Sequence, residues 1–342
     1  MLGFIVRRLI ALPFVMLAVT LLIVLLMQFL TPTQRAGAFV RGDQQLQKID
    51  AIVRQYGLDQ PFYVQYWHWL NNVAQGNLGY SRTSHQPVLE TIRERFPATF
   101  ELALFSCIPI VGIGVWLGTL AGLNRDRPID QFARVIAVIG FSLPTFVLGI
   151  WLLVIFYGGL GWLPGFGQLS QEGTLQVAIT GMRRITGMTT VDALLAGRLD
   201  LFWDAFKHLI LPVVTLTTIS SANVLKIMRS SLLEVLGQDY VRTARAKGLP
   251  ERAVNLKHAR SNALLSVVTV AGLTVAGLLT GAIITETIFA FPGIGSWGAQ
   301  AAASLDYPGV LGFAVFTALL VVIANMVVDV CYGLIDPRVR FD

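Results

Sequence analysis

Apolar residues in this chain are gathered into blocks of about twenty separated by polar stretches. The first, Leu9 to Leu30, is broken only by Pro13, Thr20 and Gln28, and Arg7 and Arg8 stand just before it. Five more follow at Leu102 to Leu123, Val135 to Tyr157, Leu209 to Leu225, Ala263 to Ile284 and Val310 to Val330. Each is able to cross a hydrocarbon core of about 30 Å as a helix. The pattern predicts an all-α polytopic membrane protein with about six transmembrane helices and both termini on one side. A cleaved leader is the rival reading of the first block, since Ala36-Gly37-Ala38 has the small-x-small form. Leader cores run only about 7–15 residues, however, and end close to the cleavage site.

Between the blocks the periodicity changes. Leu46, Ile49, Ile52, Val53 and Tyr56 recur at helical spacing before Gly57, and Phe62, Tyr66, Trp69, Leu70 and Val73 do so between Pro61 and Gly76. Two short amphipathic helices are expected there, either as a lid or docking surface over a pore or as helices at headgroup level anchored by Trp67 and Trp69. The segment from about 158 to 207 shows weak periodicity and suggests no role. From Lys226 to Asn262 eight basic and three acidic residues fall between two apolar blocks. Ser231 through Ala246 reads as one helix with an apolar side; Gly248 supplies a stop and Pro250 a new start, so two short helices at a Gly-Leu-Pro turn should project as a rigid knob.

Composition supports the bilayer as solvent. Of 342 residues 54% are hydrophobic and 13% charged, with a mean hydropathy of +0.65, where soluble domains carry about 25% charged residues. The net charge of +6 comes without a dense basic run, so no nucleic-acid partner is expected. If the N-terminus is cytoplasmic, the short inside segments hold Arg7, Arg8, Arg125, Arg127, Arg134, the basic residues from Lys226 to Arg260, and Arg338 and Arg340, as the positive-inside rule requires. Cys107 and Cys331 lie in apolar blocks, and the four histidines lack metal-ligand spacing, so neither a disulfide nor a metal site is expected. There is no Gly-x4-Gly-Lys-Ser/Thr phosphate loop, so ATP hydrolysis by that route must come from a partner.

Eight strings, in order, carry a family resemblance. The most informative is Asp239-Tyr240-Val241-Arg242-Thr243-Ala244-Arg245-Ala246-Lys247-Gly248-Leu249. It resembles the coupling-loop motif of ABC-importer permeases in the form used by the dipeptide/oligopeptide family. Arg7-Arg8-Leu9, Tyr56-Gly57-Leu58-Asp59-Gln60-Pro61, Gly76-Asn77-Leu78-Gly79, Pro97-Ala98-Thr99-Phe100-Glu101-Leu102, the Thr285-Glu286 to Gly295 stretch, Asp306-Tyr307-Pro308 and Asp336-Pro337-Arg338-Val339-Arg340 are similar to the same family. The chain departs from it at Arg260-Ser261-Asn262-Ala263-Leu264-Leu265-Ser266, where the family's Arg is displaced and its Pro lost, so the fifth helix should start straighter. Asn77 and Thr31-Pro32-Thr33 are further departures.

The resemblance implies a type I importer permease fold divided into a tail and first helix (1–30), an external loop with short amphipathic helices (31–98) and a permease core (99–342) bearing the coupling loop (226–262). It implies a multi-pass inner-membrane protein with both termini cytoplasmic, partnered by a homologous second permease, two cytoplasmic ABC ATPase subunits and an external solute-binding protein. No cofactor is expected on this chain; ATP and Mg belong to the partner subunits. Asp239, Tyr240, Arg242, Thr243, Ala244, Arg245, Lys247 and Gly248 are the expected ATPase-coupling residues. Di- or oligopeptide is the expected cargo, with a nickel complex, an opine or an oligosaccharide as alternatives.

Within the blocks, Thr215, Thr217, Thr218, Ser220, Ser221 and Asn223 make the fourth span unusually polar. Thr215, Thr218, Ser221 and Asn223 are candidates to line a substrate path, the alternative being hydroxyls that bond back to their own helix or join helices. Glu286 could meet a peptide's amino terminus or serve as an internally bonded helix-end carboxylate. Glu286, Asn325 and Asp329 each need a partner or water, since an ionised group in a span costs about 2.5–3.5 kcal/mol. Lys226 and Arg229 are expected to end the fourth helix at the inner interface. Rows of glycine at 114, 118 and 122 and at 277 and 281 allow close helix approach, toward a partner permease or within the chain. An ion-coupled transporter would want central charges and broken helices, and the spans offer few such charges. A serine protease is disfavoured because Gly140-Phe141-Ser142-Leu143-Pro144 lacks the second glycine of a nucleophile elbow and no histidine lies in the core of a span.

Overall fold

The computed structural model describes residues 2–37, 49–55 and 57–335. The expectations resting on Ala38, Leu46, Tyr56 and Asp336–Arg340 lie outside the described residues, as do the side chains of Arg7, Arg8, Asp329 and Cys331.

The first part of the chain forms α1 (Leu2–Met27), α2 (Pro32–Gly37), α3 (Ile49–Gln55) and α4 (Phe62–Ala74), then a two-stranded antiparallel ribbon of β1 (Tyr80–Ser81) and β2 (Gln86–Pro87). The two helices expected before Gly57 and Gly76 are α3 and α4. Next come α5 (Val88–Leu123), α6 (Pro128–Ser142) and α7 (Thr145–Leu152), the last continued by a π turn, Leu153–Gly159. The segment without an assigned role holds α8 (Gln171–Thr180) and α9 (Thr189–Leu195) and ends in the first turns of α10 (Leu199–Leu236). The chain closes with α11 (Asp239–Ala246), α12 (Glu251–Ala253), a π turn over Val254–Arg260, α13 (Ser261–Leu279), α14 (Ile283–Ile288), α15 (Ile294–Ala303) and α16 (Tyr307–Ile335).

Four of these stretches are long and apolar enough to cross a membrane: α5, α10, Glu251–Leu279 and Tyr307–Val328. The pair α6 and α7 with its π turn reaches that length only when its two parts are taken together, and they are bent by 99°. The first predicted span falls in α1, a helix of 26 residues.

Three expectations are corrected by the backbone. The block Val135 to Tyr157 is not one straight helix: Pro144 offers no N–H and disfavours helical backbone before it, and Leu143 accordingly sits at ψ 122°. Ser231 to Ala246 is not one helix either, because Gly237 ends α10 and Gln238 turns extended at ψ 149° before α11 begins. The second knob helix is not a separate short piece. From Glu251 it runs through the π turn into α13 with helical backbone at Arg260 and Ser261.

The core forms where α5 and α10 lie side by side running in the same direction. A Cβ on Gly114 would stand 2.6 Å from Val224 Cβ, one on Gly118 2.7 Å from Met228 Cβ, and one on Gly122 2.9 Å from a Leu232 methyl carbon. The glycine row therefore serves packing inside this chain. Leu102, Ile110, Val224, Met228, Leu232, Ala263 and Val267 fill the space around it, bringing α13 onto the pair. The second row does not form, because α13 ends at Leu279 and Gly281, at φ +108°, leaves the helix to pack on Gly295. Within α10, Pro212 is the one residue that cannot donate to the helix ladder.

Candidate functional site

At the end of the bundle where α5 and α10 finish, α11 forms the knob. Its helix is short and carries few apolar residues, so it is held in place by packing rather than by propensity. Val241 and Ala244 are buried and meet Val254 of the following helix and Val235 and Leu236 of α10. Two hydrogen bonds close its end, Gly248 N to Arg245 O at 2.9 Å and Leu249 N to Ala244 O at 3.3 Å, the pattern of a Schellman cap. That cap requires a left-handed residue, and Gly248 has φ +76° with nothing near a would-be Cβ. Arg245 Nε donates to Glu251 Oε1 at 2.9 Å, tying the two sides of the turn. Thr243 Oγ1 donates to Asp239 O at 2.9 Å, and Arg242 Nη1 reaches Asp239 Oδ1 at 3.5 Å. Tyr240, Arg242, Thr243, Arg245, Lys247 and Leu249 remain exposed. The expected coupling residues are thus brought onto one small element, with Ala244 facing inward and the charged residues outward.

About two helical turns before the end of α10, Arg229 does something the sequence reading missed. It does not end the helix at an interface. Its Nε and Nη2 donate to Asp130 Oδ1 and Oδ2 at 2.6 and 2.8 Å, a bidentate pair on a carboxylate that is fully buried. Asp130 also accepts from the backbone N–H of Asp126 at 3.0 Å. The turn between α5 and α6 is thereby fastened to the helix that bears the knob. Lys226, the other residue expected to end the helix, is exposed in its interior.

The opposite end is fastened by buried carboxylates, of which Glu101, Glu286 and Asp306 sit in the family-like strings and Asp192 does not. Glu101 Oε1 accepts from Thr190 N at 2.7 Å and Thr190 Oγ1 at 2.5 Å, and its Oε2 accepts from Gln168 at 3.1 Å. Asp192 gathers the backbone N–H groups of Ile185, Thr186 and Gly187 at 2.8–3.2 Å. Glu286 accepts from Thr99 Oγ1 at 2.8 Å and Ser296 N at 2.7 Å, while Thr99 Oγ1 accepts from Ile294 N at 2.8 Å. Asp306 accepts from Ser81 Oγ, Thr83 N and Gly309 N, and Trp297 Nε1 donates to the same Ser81 hydroxyl. The signal for these roles was a lone carboxylate beside an apolar run; which backbone groups it would gather was not encoded locally.

The candidate path residues are dispersed. Thr215 is buried with its hydroxyl bonded to Leu211 O at 2.9 Å, Thr218 is partly exposed and bonds to Val214 O at 2.8 Å, Ser221 is buried, and Asn223 is exposed. Glu286 is fully enclosed and lies on α14, not on α10. Of the five, Thr215, Ser221 and Glu286 are enclosed by the chain, while Thr218 and Asn223 reach the surface.

Comparison with known proteins places these features in a family. Residues 114–341 match the model described as binding-protein-dependent transport system inner membrane component, and residues 1–103 match that of its N-terminal region. The probable D,D-dipeptide transport system permease protein DdpB of Escherichia coli K12 is 41% identical over 85% of this chain and 84% of its own length. The di/tripeptide transport system permease protein DppB of Pseudomonas aeruginosa is 40% identical over 99% of both chains. The glutathione transport system permease protein GsiC of Escherichia coli O6:H1 is 34% identical over the full length of both. With a knob braced by two long apolar helices and family matches along almost its entire length, the chain belongs to the binding-protein-dependent transport system inner membrane components: it is a multi-pass permease subunit of an ABC importer, a transporter part and not an enzyme.

Proposed function

We propose that this permease imports di- or oligopeptides across the inner membrane by alternating access. It pairs with a homologous second permease, receives cargo from an external solute-binding protein, and is driven by two cytoplasmic ATPase subunits that hold the ATP and Mg. The reading of the cargo is supported by the relatives, whose names specify D,D-dipeptides, di- and tripeptides, and glutathione. Both termini and the knob face the cytoplasm, a reading supported by the basic residues of Lys226–Arg260 and the Arg125–Arg134 turn at one end of the bundle.

The observation that carries the coupling role is the construction of α11. Its apolar side is welded to α10 and to the helix leading into α13, while Tyr240, Arg242, Thr243, Arg245 and Lys247 stand out from it. A displacement imposed on the exposed side passes to two spans at once. In this reading Asp239 to Gly248 sit in a groove of an ATPase subunit, and Thr218 and Asn223, which reach the surface from different sides of α10, touch cargo backbone. Thr215, Ser221 and Glu286 then act from behind, by fixing the helices that form the path.

Affinity purification of the tagged chain in mild detergent, with identification of the co-purifying proteins and an ATPase assay, tests the proposal. Wild type is expected to bring down a second permease and ATPase subunits. Gly248→Val, which forces a β-branched residue into left-handed backbone, should retain the second permease but lose ATPase subunits or uncouple hydrolysis from peptide uptake. A chain that purifies alone and moves peptide under an ion gradient would overturn the reading.

A further inference from the structure

The helix that follows the first apolar block packs on α3 and carries a buried charge whose described partners are neutral. Arg35 on α2 is 8% exposed. Its Nη1 donates to Gln28 Oε1 at 2.8 Å and to Gln65 Oε1 at 2.6 Å, both neutral. Gln65 is itself oriented, since its amide nitrogen donates to Leu58 O and Gln60 O. The Arg35 Nε is buried and meets no acceptor. Among the described residues no ion pair includes this guanidinium. Burial pulls it below its usual pKa with no carboxylate to oppose the shift. A desolvated cation with neutral partners alone is costly, and an anion alongside it removes that cost.

The same residue lines a cavity of about 190 Å³ between the end of α1, α4 and the start of α16. Gln65, His68, Trp69, Asn72 and Tyr307 share the lining, and no Asp or Glu is among its described residues. Amide, imidazole and phenol groups offer hydrogen bonds, while the Trp69 ring and the α1 residues Val24 and Met27 give an apolar wall. We propose that this cavity binds an oxyanion, the phosphate or carboxylate end of an amphiphilic ligand, with the charge on Arg35 and the carbon portion against Trp69 and the end of α1. An anionic phospholipid headgroup and a soluble carboxylate such as a dipeptide terminus both carry that chemistry. The site is separate from α11 and from the polar residues of α10, and the inference does not depend on the cargo or the partners.

The full-length chain, purified with whatever subunits accompany it and stripped of lipid, is to be given palmitoyl-oleoyl phosphatidylglycerol or dialanine. Retained lipid is read by native mass spectrometry and dialanine by equilibrium binding. One of the two probes should bind wild type about tenfold or more tightly than Arg35→Gln, as loss of a charge-assisted hydrogen bond requires, with Arg35→Lys between them. Phosphatidylglycerol retention identifies a lipid site; dialanine binding identifies a site for soluble carboxylates. Asn72→Asp leaves Arg35 in place and puts a negative charge into the cavity, and it should weaken the same probe. That variant decides the matter alone if Arg35→Gln does not fold. Binding that is equal in wild type and in every folded variant, or absent for both probes, overturns the proposal.

Discussion

Asp130 and Arg229 stand 99 positions apart in the chain and share two hydrogen bonds in the structure. Removing one partner of such a pair leaves a buried charge, at a cost of about 3–5 kcal/mol, whereas replacing both by apolar groups can be close to neutral. Arg229→Met should therefore lower the midpoint of thermal aggregation in detergent, and adding Asp130→Leu should restore most of it; fluorescence-detected size exclusion after heating provides the readout. If the double variant is no better than the single, the pair is not coupled as described. The sequence marked Arg229 as a cation at a helix end because the local signal, basic residues after an apolar block, fits snorkelling equally well. Its partner lies on another element, and no periodicity reports such a distance. Glu101, Glu286 and Asp306 were legible as members of family-like strings, and the structure supplies the reason those positions hold carboxylates: each collects donors from a loop that would otherwise be left with buried N–H or O–H groups.

Helices were legible wherever periodicity and length agreed, and the two short helices before Gly57 and Gly76 were placed to within a few residues. The break in the third block was not, although Leu143-Pro144 was in plain view, because hydropathy runs unbroken across the bend and says nothing about direction. Gly237 was passed over for the same reason: the apolar side of α10 continues in register into α11. At this scale the glycine row gives a matched comparison on a single helix. A Cβ at Gly112 meets nothing within 4 Å, while one at Gly118 would stand 2.8 Å from the Leu225 carbonyl oxygen. Gly112→Ala should be neutral or stabilising by up to about 1 kcal/mol from helix propensity. Gly118→Ala should be destabilising by about 1–3 kcal/mol through overpacking. Thermal midpoints of the two variants in the same detergent check this; equal effects would mean that α5 and α10 do not lie as close as described.

Across the whole molecule the two ends are secured by different means, an apolar weld and ion pairs at the knob and buried carboxylates at the far end. Glu101→Ala should free the Thr190 and Gln168 contacts, so hydrogen exchange is expected to quicken over Met188–Leu195 and to stay unchanged over Asp239–Ala246. Quickening at both ends would show instead that the bundle unfolds as one unit. Pro212 leaves a carbonyl of α10 without its ladder donor, so a bend there is easier than elsewhere in the helix. At 1.5 Å per residue the stretch from Pro212 to Leu236 is about 37 Å long. A rotation of about 5° at that proline sweeps the helix tip through about 3 Å, roughly the thickness of one aliphatic side chain. Because the glycine row clamps α5 to this same stretch, the neighbour must swing with it, and the pair behaves as a single oar turning in one rowlock.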